Sequence, residues 1–324
     1  MRLRPLALCV LVAACSAERT PVAPPPPSDV AQTAVYLDGV LQLMETNSIN
    51  RLRIDWPAFR AQVRTAASGA RSVDELAPAL RTALTLLGDG HSSFRLPSGA
   101  FLFVSTRQCT SPTVPDPVVP STIGYVRVPA FSGTTSQAGS LATGLQSGIQ
   151  ARDVPGVVGW IVDLRGNGGG NMWPMVAGVG PVLGEGVIGH FIDPTGFTDA
   201  WEYRNGAARL GATDLQRVST PYVLRTPAPP VAVLIDNRVA SSGEAVAIAF
   251  KGRANTRFFG SATCGLSTAN RSFPLANGSS LNLTVSTMAD RNRVPFGDQV
   301  QPDERIVAAD SVVSRAVEWL RTGR

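Results

Sequence analysis

From Val30 to about Leu87 the apolar positions recur at helical spacing, as in VYLDGVLQLM, WPAFRAQV and LAPALRTALTLL. Each such segment offers one face to a core. The pattern predicts a helical N-terminal segment over 30–95. Its third helix is expected to open at Ser72 with Glu75 three residues on, the signature of a capping box. After Gly88 the period changes. Short apolar and β-branched runs bounded by Gly, Pro, Asn and Ser alternate with helical stretches. Three of them read as strands: Ile123 to Val128, Val157 to Leu164 and Val231 to Asp236. The second and third are almost continuously apolar, as strands covered on both faces are. Helices are expected from Gly243 to Lys251 and from Ser311 to Arg321, the latter with Asp310 as N-cap. The reading is an α/β fold without internal repeats.

The first residues, MRLRPLALCVLVAAC, set Arg2 and Arg4 before an apolar run that is too short to span a bilayer. Residues 1–14 therefore read as a signal peptide, and Val12-Ala13-Ala14-Cys15 as a lipobox with Cys15 as the lipidated residue. Residues 15–29 are proline-rich and predict an extended tether. The remaining 96–324 is left for the α/β domain. This organisation implies a lipid-anchored protein of the bacterial envelope. Ser16, rather than aspartate, follows the cysteine and favours the outer membrane, periplasmic side. The formal charge of +5 falls to +3 once Arg2 and Arg4 are removed, and no Lys/Arg cluster exists, which argues against nucleic acid as a partner. Of four cysteines, Cys109 and Cys264 remain for the folded part, and the sequence leaves open whether they pair. No CxxC or HExxH spacing occurs, so neither a metal nor another cofactor is expected.

Candidate chemistry gathers at two strand ends. VAVLID runs through Asn237-Arg238-Val239-Ala240 into Ser241-Ser242-Gly243-Glu244 and an apolar helix. A serine between a strand and a helix N-terminus is exposed for attack and lies near free N–H groups that can hold an oxyanion. The same position also suits an ordinary N-cap. Asp163-Leu164-Arg165-Gly166-Asn167-Gly168-Gly169-Gly170 follows the preceding buried strand, and its glycines leave backbone N–H groups unshielded. A serine nucleophile needs a base within hydrogen-bond reach. The one lysine, Lys251, lies ten residues past Ser241 on the same expected helix, or ~15 Å along it. Only His91 and His190 remain. His91, in the loop Gly88-Asp89-Gly90-His91-Ser92-Ser93-Phe94, is the expected base.

GDGHSSF, GYVRVPAF, GWIVDLRGNGGG, VAVLIDNRVASSGEA, RFFGSATCG, LANGSSLNLTVS and GDQVQPDERI stand here in that order. Together they resemble the tail-specific, or C-terminal processing, serine peptidases and their tricorn-like relatives, over roughly Trp56 to Val307. The resemblance implies a crotonase-like core with an N-terminal helical segment. It implies Ser241 as nucleophile, with oxyanion donors from Ser242 and from Gly169 or Gly170. Two departures stand out. Thr263-Cys264-Gly265 is followed by Leu266 where the Ser-Lys members carry a lysine, so a Ser-His pair is expected instead. The residues between Phe94 and Ile123 are too few for the PDZ domain of many members. For a third member that orients the histidine, Glu244, Asp298, Asp303 and Asp89 all stay open, and Ser92 is a further neighbour. The expected activity is hydrolysis of a periplasmic peptide or protein through an acyl-enzyme. The alternatives are a non-catalytic peptide- or ligand-binding lipoprotein on the same core, or an esterase.

Overall fold

The structure, a computed structural model, describes residues 29–323. The signal peptide, Cys15 and most of the tether lie outside the described residues. Three helices open the described chain: α1 (Val30–Asn47), α2 (Trp56–Ala66) and α3 (Ala77–Leu87). Asp29 and Asp55 cap the first two, each accepting from a backbone N–H three residues on. The third starts later than its pattern suggested. Ser72 and Glu75 do exchange bonds, but around a 3-10 turn over Asp74–Leu76, with Glu75 taking the Arg71 N–H. The buried faces of the three helices close over β1 (Ser93–Arg95), β2 (Phe101–Phe103) and β12 (Ser280–Asp290) through residues such as Leu41, Met44, Leu80, Phe94 and Leu281.

The three strands expected from apolar runs form the centre of a parallel sheet. They are β3 (Ile123–Arg127), β4 (Gly159–Asp163) and β9 (Val231–Ile235), joined by β10 (Thr256–Gly260) and β13 (Glu304–Arg305) in the order β13-β10-β9-β4-β3. Both faces are covered, and the alternation along each strand decides by what. Trp160, Val162, Val231 and Val233 pack on α4 (Thr135–Arg152), α5 (Met172–Leu183) and α6 (Ser242–Phe250). Ile161, Ala232 and Leu234 face α7 (Ala309–Thr322), through Val312, Ala316 and Leu320. Helix α7 is capped at Ala308, which puts Asp310 inside its first turn and not at the cap.

A second sheet, unforeseen as a unit, is antiparallel and larger. Its order is β2-β1-β12-β5-β6-β7-β8, with β5 (Gly186–Ile192), β6 (Thr198–Arg204), β7 (Ala207–Leu210) and β8 (Thr213–Arg217); β11 (Thr268–Pro274) also pairs with β12. The long β12 organises it, pairing with β1, β11 and β5 along its length. No helix of the described residues is long and apolar enough to cross a membrane.

Candidate active site

Ser241 stands at the junction between the end of β9 and the first turn of α6, with φ 52° and ψ −117°. A side chain other than glycine in the left-handed region is held there only when its surroundings impose it. The imposing contact is Glu244, fully buried, whose carboxylate accepts the Ser241 N–H at 2.9 Å. The same carboxylate accepts the Thr263 hydroxyl and the N–H groups of Gly265 and Leu266, at 2.8 and 2.7 Å. Burial pushes Glu244 up to about 7, the four donors pulling the other way. Glu244 therefore fastens the Ser241 backbone to the 263–266 loop and does not meet a histidine ring.

The Ser241 side chain turns to His91, with Oγ 3.0 Å from Nε2. The two residues are 150 positions apart in sequence. His91 follows α3, where Gly88 closes the helix in a left-handed conformation and Asp89 accepts from the N–H groups of His91 and Ser92 at 2.8 and 2.6 Å. Ser92 gives its hydroxyl to Asp89 rather than to the ring. The far ring nitrogen, Nδ1, lies 2.8 Å from Thr268 Oγ1, at the start of β11. With Nδ1–H donating to Thr268, Nε2 is left bare to accept the Ser241 proton. Burial lowers the ring's pKa from 6.5 to about 4; Asp89 opposes the shift and Arg107 adds to it. The imidazole is thus neutral at pH 7.

None of the carboxylates considered from sequence fills the third place. Glu244 is engaged as described. Asp298 pairs with Arg107 at 2.8 Å, and Asp303 accepts the Phe258 N–H and neighbours Lys251. Asp89 holds the loop backbone. Thr268 stands at the far ring nitrogen of His91 instead, and no local signal in its strand distinguishes it from any half-exposed threonine. His190 donates from Nδ1 to the Asp290 carbonyl, and Lys251 gives its ammonium to the Gln301 carbonyl; both stand apart from Ser241.

The glycine turn after β4 packs directly on Ser241. A Cβ on Gly169, φ +100°, would stand 3.0 Å from Ser241 Cβ; one on Gly170, φ +111°, would stand 1.9 Å from the Phe131 carbonyl oxygen. Neither position admits a side chain. The two glycines differ in what they leave free. The Gly169 N–H is taken by Asn167 Oδ1 at 3.0 Å. At Gly170 the bridge to Phe131 is made by the neighbouring residues, Gly169 accepting and Asn171 donating, so its own N–H is left out of the pairing. Of the two glycines proposed from sequence, Gly170 is the one that lines the cleft beside Ser242. Ser242 begins α6, so its N–H has no partner within the helix, while its hydroxyl donates to the Gly170 carbonyl at 2.6 Å. Sequence reasoning missed Asn167, whose carbonyl accepts the Ala240 N–H and whose amide donates to the Val128 carbonyl. Beneath it the fully buried Asp163 accepts the Tyr125 hydroxyl and binds Arg165 at 2.7 Å and Arg127, and the two arginines hold its carboxyl below the ordinary range despite burial.

Cys109 and Cys264 form a disulfide, Cα–Cα 5.0 Å, which ties the segment before β3 to the loop held by Glu244. Around Ser241 and His91 opens a cleft of about 980 Å³. All seven strands of the main path of the antiparallel sheet reach it, from Phe101 and Phe103 on β2 to Leu210 on β7 and Leu215 on β8, so the sheet bends round a trough. Beside Ser241 and His91 runs β11, with Thr268 to Ser272 along the cleft. Among the described residues no group of His, Cys, Asp and Glu has the arrangement of a metal site.

Residues 122–306 match the sequence profile of Peptidase family S41. The chain is 30% identical over 269 residues to the nisin-resistance protein of Lactococcus lactis subsp. lactis, covering 83% of this chain and 80% of that one. It is 28% identical over 164 residues to the carboxy-terminal processing protease CtpA of Bacillus subtilis (strain 168), covering 51% of this chain but only 30% of the relative. In fold it is similar to a lipoprotein from Streptococcus agalactiae, with TM-score 0.72 at 21% identity over 94% of this chain and all of that one. It is also similar to the photosystem II D1 C-terminal processing protease, with TM-score 0.58 at 16% identity over 88% and 97% of the two chains.

Proposed function

The chain belongs to peptidase family S41, a family of serine peptidases, and from that premise we propose that it cleaves peptides with Ser241 as nucleophile and His91 as general base. The observation that carries the reading is the 3.0 Å contact between Ser241 Oγ and His91 Nε2 at the floor of an open trough. His91 removes the serine proton as Oγ attacks the carbonyl carbon, then passes it to the leaving amine; water, activated by the same ring, releases the acyl group. The Ser242 and Gly170 N–H groups stabilise the oxyanion. Thr268 keeps the ring in the tautomer that leaves Nε2 bare.

The substrate in this reading is an extended peptide of the cell envelope. The half-exposed strand β11 supports it, since a strand beside the nucleophile aligns a peptide by backbone hydrogen bonds. The aromatic lining of the trough supplies contacts for apolar side chains. The envelope location rests on the signal-like start and Cys15, and on the names of two relatives, a nisin-resistance protein and a lipoprotein. Cleavage within a chain, rather than near one end, is part of the same proposal.

The test is treatment with a fluorophosphonate followed by intact mass measurement, beside Ser241→Ala and His91→Ala. One adduct is expected on the wild type and none on Ser241→Ala. His91→Ala should label on the order of 10²- to 10⁴-fold more slowly, the usual contribution of a positioned base. A folded wild-type protein that takes no adduct would shift the reading to a peptide-binding protein on the same core. Ester hydrolysis without peptide cleavage would shift it to an esterase.

A further inference from the structure

A second cavity, of about 570 Å³, lies at the opposite end of the α5–α6 pair from the cleft. The N-termini of both helices reach the trough, at Met172 and Ser242; their C-terminal ends, at Leu183 and just before Arg253, reach this cavity. At ~1.5 Å per residue the helices set the two sites roughly 14–18 Å apart. Its walls are mostly apolar, made by Pro181, Tyr203, Pro221, Tyr222, Leu224 and, at the lip, Val223, which is 80% exposed.

Two arginines line this apolar cavity. Arg253 is buried, 9% exposed, and donates to the Leu183 and Ala254 carbonyls and the Thr256 hydroxyl. Arg291 donates to the Ala249 carbonyl, and its buried Nε meets no acceptor. Among the described residues every acceptor these guanidinium groups meet is a neutral oxygen. Glu185, the one carboxylate on the wall, accepts the Asn205 N–H, and Asp290, near Arg291, accepts from Asn292 and Val294. Burial and the neighbouring Arg291 push Arg253 down to about 10. Asp290 offsets part of the charge of Arg291 from outside the cavity, but neither arginine makes an ion pair with a carboxylate on its wall. Two desolvated cations facing one space are costly, and a carboxylate matches the fork of a guanidinium in shape and sign.

We propose that this cavity is a ligand site for an apolar molecule ending in one carboxylate, the anion seated on Arg253 and Arg291 and the body against Tyr203, Pro221 and Leu224. A fatty acid and the free C-terminus of an apolar peptide share that chemistry.

Calorimetric titration of the full chain, purified without detergent, tests it with four probes: decanoate, decanol, and an apolar tripeptide as free acid and as amide. At least one carboxylate should bind 10-fold or more tightly than its neutral counterpart, and which pair shows the difference identifies the source. Arg291→Gln, at a half-buried side chain, and Val223→Asp, which sets a negative charge at the exposed lip, should each weaken that carboxylate 10-fold or more. Phe103→Ser, in the trough, should leave it unchanged. Equal binding of acid and neutral probes, no binding, indifference to Arg291→Gln and Val223→Asp, or a loss on Phe103→Ser would each overturn the proposal. None of these outcomes depends on Ser241 being reactive, so failure here leaves the peptidase reading standing.

Discussion

At the scale of single residues the site is a serine, a histidine and a threonine in line, with no carboxylate on the histidine. A carboxylate would stabilise the imidazolium formed during attack; a hydroxyl only orients the ring. Thr268→Val should therefore slow phosphonate labelling by roughly 3- to 10-fold, the worth of one ordinary hydrogen bond of about 1 kcal/mol, with the melting temperature nearly unchanged. A larger loss, comparable with His91→Ala, would show that the hydroxyl does more than orient. The depressed pKa of His91 has a signed consequence. In the proposed mechanism the neutral ring is the base, so labelling should hold its rate as pH falls from 7 through 6.5 and decline only on approaching about 4. A midpoint near 6.5 in the labelling rate against pH would contradict the burial described. The same shift makes the unfolded chain bind the proton first, so His91 withdraws stability as pH falls from 6.5 towards 4. His91 itself was legible in sequence, because elimination left two histidines and only one stood in a glycine-flanked loop. Thr268 was not, because nothing in its own strand marks it, and it acquires a role only when β11 is laid beside the loop after α3.

At the scale of elements, the strand-to-helix junction of β9 and α6 and the glycine turn after β4 are built against each other. Glu244 sits where sequence alone suggested either a catalytic acid or a favourable charge at a helix N-terminus. It is instead the buried acceptor that joins three backbone N–H groups and a hydroxyl. Glu244→Gln would set an amide group against those donors, leaving at least one bond unmade and a donor facing donors. It should lower stability by about 2–3 kcal/mol, read by denaturant unfolding, and slow labelling of Ser241 as the junction loosens. Unchanged stability with unchanged labelling would remove Glu244 from this role. The elements themselves divide by how local their signals are. Helices α1, α2 and α6 and strands β3, β4 and β9 showed in the pattern, because each buries consecutive or regularly spaced side chains. The strands β5 to β8 did not, since Gly189 and His190 interrupt the apolar run of Gly186–Ile192 and polar residues dominate Thr198–Arg204 and Thr213–Arg217.

At the scale of the whole molecule, the two sheets and the helical segment converge on one face, and the trough exists because the antiparallel sheet bends until Phe103 and Leu215, near its two ends, border the same space. In the proposed function, substrate binding and chemistry are thus carried by different parts of the fold. Phe103→Ala should raise KM for a peptide several-fold while leaving the phosphonate labelling rate alone; equal losses in both would mean that Phe103 supports the catalytic pair itself. The sequence by itself determined the parallel core, the serine at a strand end, the histidine loop and the resemblance to a serine peptidase family. These depend on side-chain periodicity and on residues close together in the chain. Only the tertiary structure decided that His91 meets Ser241, that Gly170 rather than Gly169 keeps its N–H free, that Cys109 pairs with Cys264, and that two arginines share an apolar cavity. Each of these depends on strand register and on which segments the core brings together, and residues 150 apart carry no local trace of that pairing.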